Sequence, residues 1–380
     1  MMPLGEAFYR RTVTRIQTAL GPLKLDGLLL LDTYNVVYAS GFMHNPTERP
    51  LGLYIPVSGD PALFVPLLEQ ENAADTWIGD IRTYFEYPGE EHPVLWMLRE
   101  SGARRLGIDQ ISPELLRQAG DQIVLTALVE QMRWIKQPEE IALVEQAAGF
   151  ADFCLEYVRD HTADLVRAGG TELDILSACL TATLDKMVSE LGATYGRRGL
   201  RVTGTVHSGP RAALPHGEPG ERQPHPGEPL IAGIGAMVGG YHAESGATFI
   251  LGAPRGDQMR VLEAMAACDA AATHTLRPGN RCAAVNEAAL AALRRAGLGD
   301  AIRHRIGHGM GLQGHEGPWL APGDGTVLVP GMVFSNEPGV YRPDLDGYRT
   351  INSMIVTNGA ARVVSRFLAH HPPEQRVIAL

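Results

Sequence analysis

The segment Met132-Arg-Trp-Ile-Lys-Gln-Pro138-Glu-Glu140 divides this 380-residue chain into two halves with different patterning. Proline lacks the N–H that goes unpaired at a first helical position. Two carboxylates in the next turn offset the positive end of the helix dipole. A helix therefore starts at Pro138 and runs to about Arg159, with Ile141, Val144, Ala148, Ala151, Leu155 and Val158 on one face. Before it, helical and strand-like stretches alternate. Helices are expected at 5–20, 68–76, 92–101 and 113–119, and strands at 27–32, 51–56, 62–66, 105–108 and 122–125. Val57-Ser58-Gly59-Asp60 reads as a hairpin-type turn between two apolar runs. Such alternation predicts an α/β lobe over residues 1–137 with a parallel or mixed sheet. After it the elements come in blocks. A helix from Gly170 ends before Gly192, residues 200–255 are strands and turns, helices follow at 257–275 and 283–296, and 303–367 is strand and loop. Residues 138–380 are thus expected to form an α+β domain.

Composition excludes several classes of function. A net charge of −10 lacks the basic face that a polyanion requires, so no nucleic-acid partner is expected. The apolar run Leu25–Leu31 is too short to span a bilayer and reads as a buried strand, so no membrane partner is expected either. Cys154, Cys179, Cys268 and Cys282 show no C-x-x-C spacing and are too few for a disulfide framework. They suit buried thiols in a reducing compartment, and a cytoplasmic location is expected.

The chemically capable residues concentrate in the second half. His207 and His216 flank a Gly/Pro-rich turn; Glu244 follows Gly239-Gly-Tyr-His; His308 and His315 lie in Gly307-His-Gly-Met-Gly-Leu-Gln-Gly-His-Glu-Gly-Pro318; Glu337 precedes Pro338-Gly339. Each sits at a strand end or turn, where a fixed backbone can present a side chain. Gly309-Met-Gly-Leu-Gln-Gly314 matches G-x-G-x-x-G, but no helix follows it, so it is not a dinucleotide site. No serine occupies a G-x-S-x-G elbow, which argues against an α/β-hydrolase.

In order, these blocks resemble the pita-bread enzymes: creatinase, the Xaa-Pro dipeptidases (prolidases), aminopeptidase P and methionine aminopeptidase. Tyr34-Asn-Val-Val-Tyr-Ala-Ser-Gly-Phe42 and Arg49-Pro50 resemble the N-terminal lobe of the two-domain members, and Lys136-Gln-Pro-Glu-Glu-Ile141 the start of their catalytic domain. Pro215-His-Gly, Gly307-His-Gly-Met-Gly, His315-Glu-Gly-Pro318 and Asn336-Glu-Pro-Gly-Val-Tyr341 resemble catalytic-domain blocks. The resemblance implies a pita-bread catalytic domain, a curved antiparallel sheet backed by helices.

The metallopeptidases of this group hold two divalent ions with two Asp, one His and two Glu. Carried over, the first Asp position is Gly233, the second is Glu244, the His is His308, the first Glu is Glu337 and the last Glu position is Ile351. Glycine and isoleucine offer no donor atom, so no dinuclear centre is expected. If one ion binds, the resemblance assigns it to Glu244, His308 and Glu337.

Creatinase, which works without metal, implies another reading. His216 matches its proton-shuttling histidine, Glu337 one of its substrate-binding glutamates, and Arg49 the lobe arginine that holds a substrate carboxylate in a neighbouring subunit. Gly347-Tyr-Arg349 also agrees with it. Its other glutamate falls at Gly246, and a second carboxylate-binding arginine falls at Trp319, so creatine itself is not the expected substrate.

The leading expectation is a creatinase-like, metal-independent hydrolase of a C–N bond in a small carboxylate-bearing molecule. Its catalytic set would be His216, Glu337, Glu244, His308 and His315, with Arg49, Tyr241 and Arg349 binding substrate and no cofactor. The alternatives are an Xaa-Pro dipeptidase or aminopeptidase with a single-metal site, and an inactive pita-bread protein that only binds. A homodimer and a small-molecule substrate are the expected partners.

Overall fold

The computed structural model describes residues 2–380, which fall into two compact units parting between Arg133 and Trp134. The division comes four residues before Pro138 for a physical reason. The intervening segment is bonded into the second unit: Ile135 bridges Met332, the Lys136 N–H donates to the Gly331 carbonyl, and Lys136 Nζ pairs with Glu316 Oε1 at 2.7 Å.

The first unit holds a six-stranded mixed sheet in the order Asp80–Tyr84, Ala62–Pro66, Gly52–Pro56, Gly27–Leu30, Leu106–Ile108 and Ile123–Leu125. The central strand Gly27–Leu30 is wholly buried, as an apolar run without polar alternation should be. It pairs antiparallel with Gly52–Pro56 and parallel with Leu106–Ile108. Helix Gly5–Leu23 buries Phe8, Val13, Ile16 and Leu20. Helix Thr33–Ser40 is not apparent from the sequence, because its β-branched and aromatic content masks helical periodicity. Its start is nevertheless written in the chain: the Asp32 carboxylate caps the Asn35 N–H at 3.0 Å.

In the second unit, helix Pro138–Arg167 continues past Arg159 because nothing breaks its buried face before the glycines at 169 and 170. It packs on strands Pro229–Val238 and Tyr241–Leu251, while helix Glu172–Tyr195 packs on Leu200–Ser208. The sheet runs Glu316–Leu320, Gly307–Gly309, Val333–Asn336, Ile351–Ile355, Tyr241–Leu251, Pro229–Val238, Leu200–Ser208. Neighbours along this path are antiparallel. The early and late strand blocks thus join into one sheet through Ile351↔Gly246. Helices Gly256–Thr275 and Cys282–Arg295 share a core with Ile250, Phe334 and Met354. This is the pita-bread domain expected from the sequence, and the first unit is the expected α/β lobe.

One buried group gives the second unit a pH dependence. Burial pushes the Glu140 carboxyl up to about 7, against the Gln137 N–H, the Tyr241 hydroxyl and the Lys136 charge, which all favour the anion. The unfolded chain releases this proton near 4.5. Between those values the folded state binds more protons, so stability falls as pH rises, by at most about 1.4 kcal/mol per pH unit. Denaturant unfolding across that interval should show the slope in the native protein and a shallower one in Glu140→Gln. An unchanged slope assigns it to another group.

Candidate active site

Side chains alternate along Tyr241–Leu251, which turns Glu244 and Gly246 to one face and Tyr241 and Ser245 to the other. Glu244 is held firmly. Ser335 Oγ donates to its Oε2 at 2.6 Å, its own N–H donates to Ser353 Oγ at 2.8 Å, and that hydroxyl donates to the Glu244 carbonyl at 2.7 Å. Ser335 and Ser353 are paired across their strands. Neither was singled out in the sequence, although each stands two residues from Glu337 or Ile351 and so shares their face.

His308, on strand Gly307–Gly309, is completely buried. Its Nδ1 bonds the Gly309 carbonyl at 3.0 Å, which makes Nδ1 the donor and turns Nε2 toward the carboxylates. Nε2 lies 3.3 Å from Glu337 Oε1 and 3.9 Å from Glu244 Oε2. Both are charge contacts without hydrogen-bond alignment, so Nε2 is a buried polar atom without a hydrogen bond. His315 stacks on His308 with ring centres 3.7 Å apart, and its Nε2 lies 4.0 Å from Glu244 Oε1. Glu337 is fixed by its N–H, which donates to the Ile306 carbonyl at 2.6 Å.

Electrostatics separates these groups. Burial pushes Glu337 up, but the His308 imidazole, with Arg349 and His304 behind it, outweighs that and brings the carboxyl down to about 2. Burial pushes His308 down, but Glu337 and Glu244 outweigh it and raise it above the usual value. His315 is lowered, by burial first and then by the charge of His308. The stacked pair therefore splits in tendency, His308 raised and His315 lowered.

His216 is exposed in its turn, and that turn is pinned on both sides: Arg349 Nη1 donates to the Pro215 carbonyl at 3.0 Å, and His207 Nε2 contacts the Gly217 carbonyl. Glu172 anchors the same loop, accepting from the Ser208 N–H at 2.8 Å and Arg211 Nε at 3.0 Å. Arg349 is itself buried, and its Nη2 donates to Thr205 Oγ1 at 3.0 Å, so its fork orders the loop instead of standing free for substrate.

Another sequence-based candidate is corrected. Tyr241 points away from the cluster into the opposite layer, where its buried hydroxyl donates to Glu140 Oε1 at 2.8 Å; strand alternation removes it from substrate binding. Arg49, in the first unit, is paired within its own lobe. Its Nε and Nη2 donate to the Glu86 carboxylate at 2.6 and 3.1 Å, and Nη1 contacts Glu48. Sequence reasoning also missed Arg305. Its guanidinium stacks on Trp319 at 4.6 Å and its charge is felt by His315, while no carboxylate pairs with it among the described residues.

The donor geometry decides what cation could be held. Ile351 lies over Gly246, where a Cβ would meet its Cγ1 at 2.6 Å. A Cβ at Gly233 would meet Arg349 Nη2 at 2.8 Å and Ile351 Cδ1 at 3.2 Å. Where two carboxylates would complete a second ion site stand a branched alkyl group and a cation. A dinuclear centre does not fit. A single ion does, but with a different third donor from that read in the sequence. The ligand atoms of Glu244, His308 and His315 lie within 4.8 Å of one another, His315 taking the place expected for Glu337 because it stacks on His308. One carboxylate and two imidazoles suit a divalent transition metal.

Residues 142–358 match the profile of metallopeptidase family M24, and residues 13–135 that of the creatinase/prolidase N-terminal domain. The chain belongs to metallopeptidase family M24. Membership places it among hydrolases that cleave C–N bonds. An M24 relative, YkvY of Bacillus subtilis (strain 168), classed as a dipeptidase, is 30% identical over 349 residues, covering 88% of this chain and 91% of that protein. PepE of Mycobacterium tuberculosis (strain ATCC 25618 / H37Rv), classed as a probable dipeptidase, is 29% identical over 364 residues, covering 93% of each. Among solved structures, dipeptidase PepE from Mycobacterium ulcerans superposes with a TM-score of 0.84 at 27% identity, covering 98% of this chain and 99% of that one. The Xaa-Pro dipeptidase of Bacillus anthracis shares the M24 fold, with a TM-score of 0.79 at 23% identity over 94% and 98% of the chains.

The steric reading predicts metal capacity. Elemental analysis after loading with a divalent transition metal should give no more than one tightly held ion per chain. Gly233→Asp combined with Ile351→Glu, which supplies two carboxylates and removes the alkyl group, should raise that capacity to two. Two ions in the native chain would refute the reading.

Proposed function

We propose that this M24 protein is a dipeptidase-type hydrolase that cleaves the amide bond of a short, carboxylate-bearing substrate, an Xaa-Pro dipeptide among them, with at most one divalent ion. The observation that carries this reading is the convergence of Glu244, His308 and His315 beside a second-ion position filled by Ile351. An ion held by these three would polarise the scissile carbonyl and acidify a bound water.

The chain's own groups divide the remaining work. A carboxylate held near 2 is a weak base at neutral pH, so Glu337 orients a substrate N–H or ammonium beside His308. His315, held toward the neutral form, keeps a ring-nitrogen lone pair available as a ligand. His216, exposed on a pinned turn, can deliver a proton to the departing amine. Arg305 is the cation best placed to take the substrate carboxylate, a task that its planar fork suits.

Dipeptide hydrolysis that stops in chelator and returns with one ion per chain supports this reading. Full activity without metal would favour the creatinase-like alternative. His216→Ala should lower kcat by about 100- to 10,000-fold with unfolding unchanged. Arg305→Met should raise KM roughly 10- to 100-fold, the worth of a charge-assisted bond, with kcat little altered. A kcat loss without a KM change would place the substrate carboxylate elsewhere. The proposal includes a cytoplasmic homodimer. Light scattering that returns a monomer at micromolar concentration rejects the dimer.

A further inference from the structure

A cavity of about 560 Å³ opens in the catalytic unit on the sheet face away from the Glu244 cluster. Thr350 and Asn352 line it, and they alternate with Arg349 and Ile351, which face the cluster. None of the residues assigned to catalysis contributes to it.

Its polar floor is unusual. Arg376 is only 2% exposed, yet its Nε and Nη1 have no hydrogen-bond partner. Burial pushes this guanidinium down to about 10, which leaves it charged at neutral pH. It is not a surface cation that happens to fold inward. Its N–H is bonded to the Pro373 carbonyl, and its own carbonyl accepts from the Ile250 N–H, so the backbone is clamped to the sheet. Thr350 Oγ1 is likewise buried without a partner. Across the cavity stands Asp269. It accepts from Asn336 Nδ2 at 2.6 Å and Asn352 Nδ2 at 2.9 Å, which occupies one lone pair on each oxygen and leaves others free. Asp269 and Arg376 feel each other's charge but form no ion pair. Val363, Leu368 and Pro372 supply an apolar wall.

A buried charge without a partner is costly, and an apolar side chain of similar volume in its place is often stabilising. An unpaired cation and a separate carboxylate beside an apolar wall are complementary to a zwitterion with an apolar side chain. We propose that this cavity is a second ligand site, distinct from the catalytic cluster, that binds a free apolar α-amino acid. The ligand carboxylate meets Arg376 and Thr350, its ammonium meets Asp269, and its side chain lies against Leu368 and Val363. The inference does not depend on which bond the catalytic cluster cleaves.

Calorimetric titration with L-leucine tests it, using 3-methylbutylamine and 4-methylpentanoate as probes that lack one charge each. Glu337→Gln, altered only at the catalytic cluster, should still bind leucine at one site per chain. Both truncated probes should bind roughly 10- to 100-fold more weakly. Arg376→Met should lose leucine binding by a similar factor and melt at a higher temperature. Should that variant not fold, Thr350→Val, which removes only a hydroxyl, must weaken leucine. Absence of leucine binding, equal binding by Arg376→Met or by folded Thr350→Val, or loss in Glu337→Gln with retention in Arg376→Met would overturn the proposal; the last outcome would place leucine in the catalytic cleft.

Discussion

Everything at the catalytic centre depends on the register that aligns Gly233, Gly246 and Ile351 across three adjacent strands. Strand alternation then leaves no choice about faces. Glu244 must look toward Ser335 and His308, Tyr241 must look toward Glu140, and Asn352 must look toward Asp269. A slip of one residue would exchange all of these at once, burying Glu244 among helices and exposing apolar core. The long pairing of Pro229–Val238 with Tyr241–Leu251 makes such a slip costly, since ten residue pairs would have to move together.

On that frame, burial and charge oppose each other at His308 and Glu337. His308 is pushed down by burial, but two carboxylates outweigh that and raise it. Glu337 would be raised by burial alone and is brought low by the same contact. His315 is lowered by burial first and then by the His308 charge. Two imidazoles stacked at 3.7 Å thus take opposite tendencies from their different surroundings, despite the same intrinsic chemistry.

Much of this was legible in the sequence, because local signals carry it. Pro138 with its carboxylates, the stop at Gly297 and the turn at Gly59 mark element ends directly. Glu244, His308, His315 and Glu337 do converge, and Gly233 and Ile351 do lack donors. What could not be read depends on distant partners. Arg349 reaches residues 134 and 144 positions away, so nothing near it tells an ordering fork from a substrate clamp. Arg49 looks free until Glu86, 37 residues on, is placed beside it. Arg376 and Asp269 are unremarkable on paper and become a pair of separated charges only when a helix and the C-terminal segment close on one cavity.

The packing of Ile351 over two glycines also bears on how this chain can change over time. An acidic residue at position 233 alone would press a side chain against Ile351 and the Arg349 guanidinium. A glutamate at 351 alone would place a carboxylate against Gly246 and Gly233 with no second donor opposite it. Neither substitution alone supplies both donors that a second ion would need. A second ion therefore lies two substitutions away instead of one, and any single change at these positions acts only on the surroundings of the one cation site that the fold can hold.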